Sequence, residues 1–389
     1  MKDRAVILKK SRDKPIRQRH HWIFSGAVQS LPDFEDGDVL PVMNSEGEFL
    51  GSAYFNRKSG IIGRMLCFDR TPYLNAIEQK ILGAISLRQE LFNPANNAQR
   101  LVNGEGDGLP GLIVDRYRDV LVVQVATLGM EKLKPVVLSH LISALSPRSI
   151  YERSDLPTRR EEGLPDFEGH LYGEKVESVE VLEDGLRFLV DIRGSQKTGF
   201  YLDLREMRKL VRSLAKGRRV LNCFCYTGGF SVAALAGGAS SVDSVDSSEP
   251  AISMARRNLS LNGFPEDENR LVVVDVFEFL RRELPAYDFI ILDPPAFAKK
   301  KTDIVPACRG YKDINRLALS NVGPRGLLLT LSCSHFVDET LFQQVVFQAA
   351  GEAGREVRII QKHRQAFDHP VNLYHPESEY LKGFLLYVQ

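Results

Sequence analysis

From about residue 187 to its end, the chain alternates short apolar segments typical of strands with longer amphipathic segments typical of helices. The segment 250–261, for example, places Ile252, Ala255 and Leu259 on one helical face at spacings of three and four. Such alternation is typical of an open parallel sheet with helices on both faces. We therefore predict a doubly wound α/β domain over residues 187–389, with strands near 219–223, 241–245, 271–274, 289–292, 327–331, 357–361 and 383–388.

Two further domains are predicted before residue 187. Residues 1–70 contain short alternating segments separated by turn sequences, which indicates a β-rich module. Thr71 and Pro72 are the expected N-cap and first residue of a helix that ends near Leu91. The rest of 71–186 shows the order β-β-α-β-β of a small α+β domain. Its strands are expected near 111–116, 120–126, 149–152 and 176–182, its helix near 131–145, and an exposed loop at 155–169. A further strand near 186–192 is expected to pair with the strand at 176–182.

The composition is typical of a globular protein, because 43% of the residues are hydrophobic and 26% are charged. No apolar run approaches the roughly 20 residues that a membrane helix needs. The N-terminus lacks the apolar core of a signal peptide. The five cysteines are odd in number and do not have the spacing of a disulfide framework. These features predict a cytoplasmic protein with no membrane partner.

Positive charge is concentrated locally, although the formal net charge is only +1. Residues 1–21 contain eight lysines and arginines against two aspartates, and Lys299, Lys300 and Lys301 form a second cluster. Either cluster alone could be an ordinary solvated surface. Together they favour a surface that contacts the phosphates of a nucleic acid.

The first strand of the α/β domain leads into N-C-F-C-Y-T-G-G-F at residues 222–230. Paired glycines let backbone approach a ligand and begin the next helix, while the G-x-G-x-x-G dinucleotide fingerprint is absent. Asp246 ends the second strand, where it could accept from ribose hydroxyls. Asp275 ends the third, where it could meet an adenine amino group, although such an aspartate is often only a helix cap. This order favours S-adenosylmethionine over NAD.

A second segment, K-T-G-F-Y-L-D-L-R at 197–205, precedes the first strand and supplies a base, a glycine, two aromatic residues and an acid. It could cap the cofactor from the far side. The cofactor-binding residues that we predict are Lys197, Phe200, Asn222, Phe224, Tyr226, Thr227, Gly228, Gly229, Asp246, Ser247, Asp275, Val276 and Asp293.

Two reactive groups follow strands that we expect to be neighbours. One strand ends in D-P-P-A-F at 293–297, and the other ends in S-C-S at 332–334. Ligands bind at the carboxyl ends of strands in such a sheet. Cytosine carbon-5 is weakly nucleophilic until a thiolate adds to carbon-6, and this addition is assisted at ring nitrogen-3. We predict Cys333 as the nucleophile and Asp293 as the donor or hydrogen-bond partner at nitrogen-3.

A competing interpretation follows from D-P-P-A-F alone. In that interpretation Asp293 holds an exocyclic amino group for direct methyl transfer to nitrogen, Phe297 stacks on the base and Cys333 is structural. A cysteine at a strand end is often a small buried hydrophobe. We interpret Cys223 and Cys225 in this way and predict no metal site, because C-x-C alone is poor metal spacing.

The base must leave its stack to reach this cleft, so the expected substrate is a loop or flipped nucleotide. Phe297, Tyr311 and Phe336 are candidate stacking residues, with core packing as the alternative.

These motifs resemble those of the bacterial 23S ribosomal RNA cytosine-5 methyltransferases, and the resemblance extends over the whole chain. R-H-H-W-I-F-S-G at 19–26 resembles the start of that family's RNA-binding PUA domain, with His21 where proline is usual. L-V-N-G-E-G-D-G-L-P-G at 101–111 resembles its middle domain. The K-T-G-F-Y-L-D, N-C-F-C-Y-T-G-G-F, D-P-P-A-F, C-R-G-Y-K-D-I-N and S-C-S segments resemble its catalytic motifs, with Ala296 replacing the lysine of D-P-P-K-F.

The resemblance implies a PUA β-barrel at 1–70, an α+β domain at 71–186 and a class I, Rossmann-like methyltransferase domain at 187–389. It implies Cys333 as nucleophile, S-adenosylmethionine as cofactor and a cytosine of 23S ribosomal RNA as substrate, for a monomer or homodimer. A guanine-nitrogen methyltransferase and a non-catalytic ribosome-assembly factor stay open as alternatives. The predicted RNA-contacting residues are Arg17, Arg19, His20, Trp22, Phe297, Lys299, Lys300, Arg309, Tyr311 and Lys312.

Overall fold

The computed structural model describes residues 4–93, 95–193, 199–264, 269–282 and 286–389. The chain divides into two units. The first comprises Met1–Val181, Val190–Leu202 and Phe367–Ser378, and the second comprises Leu182–Leu189, Asp203–Ala366 and Glu379–Gln389. The segment Phe367–Ser378 thus belongs to the first unit although it lies near the C-terminus. Motifs taken in order along the chain do not reveal this return.

The N-terminal part of the first unit is a six-stranded sheet, as the β-rich pattern predicts. Its elements are β1 (Val6–Leu8), α1 (Lys14–Arg17), β2 (Trp22–Ile23), β3 (Val28–Ser30), β4 (Val39–Met43), β5 (Phe49–Phe55) and β6 (Gly63–Cys67). The strand order is β2-β6-β5-β4-β1-β3, antiparallel except for the pair β1 and β4. Val6, Ala53, Phe55 and Met65 lie in one buried cluster, which gives this sheet its own core.

The middle part of the first unit is a five-stranded sheet packed against two long helices. Its elements are α2 (Tyr73–Leu91), β7 (Ala98–Asn103), β8 (Leu112–Tyr117), β9 (Val120–Val125), α3 (Leu128–Leu145), β10 (Ser149–Ser154), α4 (Pro157–Glu161) and β11 (Phe167–Gly173). The strand order is β11-β10-β9-β8-β7. Ile77 and Ile81 of α2 share a buried cluster with Leu112 and Val123 of the sheet.

The strands of this middle part differ from the predicted β-β-α-β-β order. Strand β7 was not predicted, because its sequence A-Q-R-L-V-N contains three polar residues in six. The predicted pair near 176–192 is present as β12 (Ser178–Glu183) and β13 (Leu186–Asp191), but these form a separate two-stranded sheet. The predicted strand pair is therefore confirmed, and it forms a sheet of its own.

The expected exposed loop at 155–169 is confirmed in its exposure, but it is not entirely loop. It contains α4 and the start of β11, and Arg159 and Glu162 are only 2% and 1% exposed. Arg159 forms an ion pair with Glu131 at 2.8 Å, and Glu162 forms one with Arg64 at 2.7 Å. Because each of these two buried charges has a partner, both residues can lie in the interior although most of the segment is exposed.

The second unit contains the predicted doubly wound sheet. Its strands are β14 (Arg219–Cys223), β15 (Ser241–Asp246), β16 (Asn269–Val273), β17 (Tyr287–Leu292), β18 (Val322–Ser332), β19 (Val357–His363) and β20 (Lys382–Val388). They are hydrogen-bonded in the order β16-β15-β14-β17-β18-β20-β19. The first five strands are parallel, and β20 is antiparallel to both β18 and β19. The prediction of this sheet is confirmed.

Helices connect the strands of this sheet. They are α5 (Arg205–Leu214), α6 (Gly229–Ala236), α7 (Glu249–Leu261), α8 (Val276–Leu280), α9 (Ile304–Asn321) and α10 (Glu339–Glu352). Side chains start three of them, since Ser248, Asp275 and Asp338 each accept a backbone N–H of the first turn. None of the helices in the described ranges combines the length and the apolar character that crossing a membrane requires.

Candidate active site

The predicted site residues of the second unit lie at one edge of its sheet. Strands β14, β15, β17 and β18 are parallel, so their carboxyl ends meet at this edge. The turn after β14, Asp246 at the end of β15, Asp293 after β17 and Cys333 after β18 therefore lie along one edge of the sheet. This is where ligands bind in an open α/β sheet.

The turn after β14 has an unusual backbone. Phe224, Tyr226 and Gly228 all have positive φ angles, of 58°, 47° and 80°. Two non-glycine residues in the left-handed region within three positions carry strain of the kind that collects at functional sites. A Cβ on Gly228 would lie 3.0 Å from the Cβ of Ala255 in α7. The glycine is thus required by its φ angle and by helix packing, in addition to any ligand.

Asp246 connects this turn to the end of β15. Its Oδ2 accepts the N–H of Tyr226 at 2.9 Å, and its Oδ1 accepts the N–H of Ser248 at 2.9 Å. The side chain is half-buried, and the neighbouring Ser247 is exposed. Each carboxylate oxygen has a second lone pair, so the same group that shapes the turn can still accept from ribose hydroxyls.

Asn222, at the end of β14, offers a buried acceptor. Its Nδ2 donates to the Oγ of Ser231 at 2.8 Å, whereas its Oδ1 is buried with no hydrogen-bond partner. Thr227 is 7% exposed, and its carbonyl accepts from Asn258 at 2.9 Å. A nucleoside cofactor with ribose hydroxyls and amino groups needs acceptors of this kind. The turn, the Asp246 carboxylate and the orphan Asn222 oxygen fit such a group.

Asp275 and Val276 have structural roles at the third strand end. The Oδ1 of Asp275 caps α8 by accepting the N–H of Glu278 at 3.0 Å, and the Val276 side chain is 1% exposed in the core. The alternative interpretation of Asp275 as a helix cap is therefore confirmed. Asp275 is exposed, so its other carboxylate oxygen is available to a ligand. The contact between Asp275 and the adenine amino group stays a prediction.

The predicted cap from the far side is only partly described. Lys197 lies outside the described residues. Phe200 belongs to the first unit and is 7% exposed. Its backbone N–H donates to the Tyr117 hydroxyl at 3.2 Å, and that hydroxyl lies 3.3 Å from the Phe200 carbonyl oxygen.

Cys333 lies beside the D-P-P segment, as the sequence predicts. Its sulfur is 3.9 Å from the carbonyl oxygen of Pro294, and the residue is half-buried. Its neighbours Ser332 and Ser334 are fully buried. The Ser334 hydroxyl accepts the N–H of Ala298 at 3.1 Å, which joins the two strand-end segments. The Cys333 thiol therefore lies between two buried serines, one of which is hydrogen-bonded to the neighbouring segment.

The prediction that Tyr311 stacks on a base is wrong, because Tyr311 is 0% exposed. Its hydroxyl hydrogen-bonds that of Ser334 at 2.9 Å, and burial raises its pKa. Phe297 is half-buried, with its ring centroid 4.6 Å from that of Tyr311. Phe336 is 38% exposed. Tyr311 supports Phe297 and Ser334, which leaves Phe297 and Phe336 as the candidate stacking residues.

The other cysteines are in less reactive environments, as the sequence predicts for two of them. Cys223 and Cys225 are 0% and 5% exposed, and burial raises the pKa of both thiols. Burial also raises the pKa of Cys308, which is half-buried. Since the thiolate is the nucleophile, a raised pKa disfavours these three residues for that role.

The predicted RNA-contacting residues of the second unit fall into two groups. Lys299, Lys300 and Arg309 are exposed. Lys312 forms an ion pair with Glu352 at 2.7 Å. Contact with phosphates is therefore easiest for the first three residues.

In the first unit, three of the four predicted RNA contacts, Arg17, His20 and Trp22, contact acidic side chains. Arg17 forms ion pairs with Asp13 at 2.7 Å and with Glu48. The Trp22 indole N–H donates to Glu105 at 2.8 Å, and the ring is half-buried. Arg19 is exposed, which makes it the more available cation of this surface.

His20 belongs to a cluster with His375 and Glu377, whose ligand atoms lie within 4.8 Å of one another. The Trp22 backbone N–H donates to His20 Nδ1 at 3.2 Å, so the proton of the neutral ring is on Nε2, 3.3 Å from Glu377. That nitrogen is a donor to the carboxylate, and a metal would need its lone pair. The cluster is best described as a hydrogen-bonded group.

One residue of the site was missed by the sequence analysis. Lys382 starts β20 and is 6% exposed. Its ammonium donates to the Ser334 carbonyl at 2.6 Å and to the Tyr380 carbonyl at 2.8 Å. A single lysine at the start of the apolar run G-F-L-L-Y-V is the signal that could have identified it.

Comparisons with known proteins agree with this geometry. Residues 160–353 match the family described as S-adenosylmethionine-dependent methyltransferase, and residues 6–68 match the PUA-like domain. The chain is 42% identical to ribosomal RNA large subunit methyltransferase I of Photobacterium profundum over 394 residues, 99% of each chain. It is also 42% identical to the protein of that name from Aeromonas hydrophila over 391 residues, 98% of each chain.

A solved structure shows the same fold. SMU.776 in complex with SAH has a TM-score of 0.86 to this chain at 24% identity, covering 98% of this chain and 99% of that chain.

Proposed function

Because this chain belongs to the ribosomal RNA large subunit methyltransferase I family, we propose that it methylates carbon-5 of a cytosine in 23S ribosomal RNA. In this proposal the reaction proceeds through a covalent bond to Cys333 and takes place in the cytoplasm. S-adenosylmethionine is the cofactor of the family and supplies the electrophilic methyl group. The PUA-like domain and the methyltransferase domain match the architecture that the motifs imply.

The position of Cys333 is the observation that carries this proposal. The thiol stands at the carboxyl end of β18, and its sulfur is 3.9 Å from Pro294 in the segment that follows the neighbouring strand. Two fully buried serines hold it in place. The other two cysteines at this sheet edge are buried and have raised pKa values. Of these three thiols, Cys333 is the one suited to attack a ring carbon.

The residues around Cys333 have complementary roles in the proposed reaction. The Cys333 sulfur forms a bond to carbon-6 of the cytosine. Asp293 either donates a proton to ring nitrogen-3 or forms a hydrogen bond with it. The addition makes carbon-5 nucleophilic, so that it can accept the methyl group. A base then takes the carbon-5 proton, the electron pair of that bond restores the ring double bond, and the sulfur leaves carbon-6 as the thiolate. Dividing one hard step into easier steps is the advantage of a covalent nucleophile.

Phe297 and the exposed cations serve substrate binding in this proposal. Phe297 is supported from below by Tyr311 and can stack on the extruded base. Lys299, Lys300 and Arg309, together with Arg19 of the first unit, are exposed and can contact phosphates. We expect RNA affinity to fall with rising salt for this reason.

Release of tritium from ribosomal RNA labelled at cytosine carbon-5 tests the proposal. The carbon-5 reaction must release one tritium for each methyl group incorporated, because the methyl group replaces that hydrogen. Methyl incorporation without tritium release would instead indicate transfer to a nitrogen, such as that of a guanine. Absence of both on naturally unmodified RNA would indicate a non-catalytic assembly factor.

A further inference from the structure

Lys382 is a buried cation whose hydrogen bonds within the described residues go to backbone carbonyls. It is 6% exposed, and two of its three N–H groups donate to the carbonyls of Ser334 and Tyr380. Across the described part of the chain, no aspartate or glutamate forms an ion pair with its ammonium. A buried charge of this kind is costly unless another charge compensates it. A charged Lys382 in the interior therefore requires a counter-ion.

The acidic groups that face Lys382 have other partners. Asp338 caps α10 by accepting the N–H of Leu341 at 2.8 Å, and Glu379 forms an ion pair with Arg364 at 3.1 Å. His363 of β19 is opposite the next residue of β20, and burial lowers its pKa, so it is neutral at pH 7. Neither carboxylate is in hydrogen-bond contact with the lysine, although both act on it at longer range.

Lys382 is instead placed at the S-C-S turn. It is the register partner of Ser332 across the antiparallel pair of β18 and β20. Its Nζ lies 2.6 Å from the carbonyl oxygen of Ser334. Lys382 is thus paired with the residue before Cys333 and hydrogen-bonded to the residue after it. Burial lowers the pKa of Lys382 to about 8, and of the charges that oppose this shift the Cys333 sulfur is the strongest.

We propose that Lys382 is the counter-ion that stabilises the Cys333 thiolate for its attack on the RNA base. This inference rests on the proposed function, because the thiolate is needed only if Cys333 attacks the base. The thiol gives its proton to solvent before the attack, and Lys382 keeps its three protons. The sulfur keeps the electron pair with which it forms the bond to carbon-6. Lys382 touches neither substrate nor cofactor in this scheme, so it is a positioning residue that also sets the charge of the nucleophile.

The pH dependence of Cys333 alkylation tests this pairing. The protein is treated with iodoacetamide between pH 6 and 10, and mass spectrometry follows the Cys333 peptide. We expect Lys382→Met to slow alkylation at pH 7.5 by about tenfold, because removal of a nearby cation raises a thiol pKa by about one unit. Lys382→Arg keeps the charge and should stay within about threefold of wild type. An unchanged alkylation profile in Lys382→Met would overturn the proposal.

A structural clamp and a counter-ion make different predictions here. Thermal melting and SAH affinity report whether Lys382→Met still folds, and a clamp alone would change these without moving the alkylation midpoint. If the variant does not fold, the wild-type protein gives the answer. Its Cys333 midpoint should lie below the roughly 8.5 of a free thiol and below that of Cys308, whose pKa burial raises. A midpoint at or above that of Cys308 would contradict the pairing.

The alkylation experiment contains no RNA, so its outcome is separate from that of the tritium experiment. A lowered Cys333 midpoint without tritium release would retain the ion pair and refute carbon-5 methylation. Tritium release with an unshifted midpoint would retain the reaction and refute the role of Lys382.

Discussion

Two strand ends of one sheet carry cysteines. These cysteines differ in their burial and in the charge beside them, and both properties control the pKa of a thiol. Cys223 and Cys225 lie at the end of β14 and in the turn after it, are buried, and have pKa values that burial raises. Cys333 follows β18 and is half-buried, and the buried Lys382 of β20 donates to the carbonyl of the next residue, Ser334. The comparison shows that a place at the ligand-binding edge does not make a cysteine reactive. We propose that access and a neighbouring charge decide which of these thiols reacts.

Removal of the Cys333 thiol should have the largest effect. Cys333→Ala should reduce methyl transfer at least about a thousandfold, because the nucleophile is lost. SAH affinity by calorimetry should stay within about twofold. Cys308→Ala, which removes another half-buried thiol, is the matched control and should keep near-normal activity. Full activity in Cys333→Ala would show that the two strand ends do not differ in function.

Alkylation of the unmodified protein should separate the thiols by about a hundredfold. At pH 8, iodoacetamide should label Cys333 first and Cys223 and Cys225 at least about a hundredfold more slowly, since burial disfavours their thiolates. Peptide mass spectrometry gives all rates in one sample. Equal labelling of the native protein would mean that the burial contrast does not control reactivity.

Disruption of the β14 turn should impair cofactor binding and leave Cys333 unaffected. Asp246→Ala removes the acceptor of the Tyr226 and Ser248 N–H groups. Hydrogen bonds to charged groups contribute about 1.5–3 kcal/mol, so we expect at least a tenfold loss of SAH affinity by calorimetry. Asp275→Ala, which removes a helix cap at the third strand end, serves as the comparison variant and should lose less. Greater loss in Asp275→Ala would reverse the assigned roles.

Loss of one buried hydroxyl should have the smallest effect. Tyr311→Phe removes the hydrogen bond to Ser334 and keeps the ring under Phe297. We expect a loss of about 1 kcal/mol in the free energy of unfolding and a decrease of a few-fold in kcat. Urea denaturation and steady-state kinetics measure the two quantities. A loss of RNA affinity with kcat unchanged would return Tyr311 to base binding, which its burial now argues against.

The parts of the site that the sequence predicts are those set by local pattern. Apolar runs that stop at Asp246, Asp293 and Cys333 identify strand ends, and parallel connections bring such ends to one edge. The sequence therefore predicts that the S-C-S and D-P-P segments lie side by side.

The parts that the sequence did not predict depend on distant pairing. Lys382 reaches the S-C-S turn only because β20, the final strand, inserts between β18 and β19. Tyr311 looked like a stacking residue because its burial under Phe297 depends on how α9 packs. The buried ion pairs of Arg159 and Glu162 likewise join residues that are 28 and 98 positions apart in sequence. Such partners, distant in sequence, bury residues that their local sequence predicts to be exposed.

The most direct test of the account is a trapped adduct with RNA that carries 5-fluorocytidine at the target position. Fluorine at carbon-5 cannot leave as a proton does, so the ring should stay bonded to the enzyme after methyl transfer. We predict a denaturation-resistant complex whose digested peptide carries the methylated fluorocytosine on the Cys333 sulfur. Methylation of this RNA with no covalent complex, or an adduct on any other residue, would contradict it.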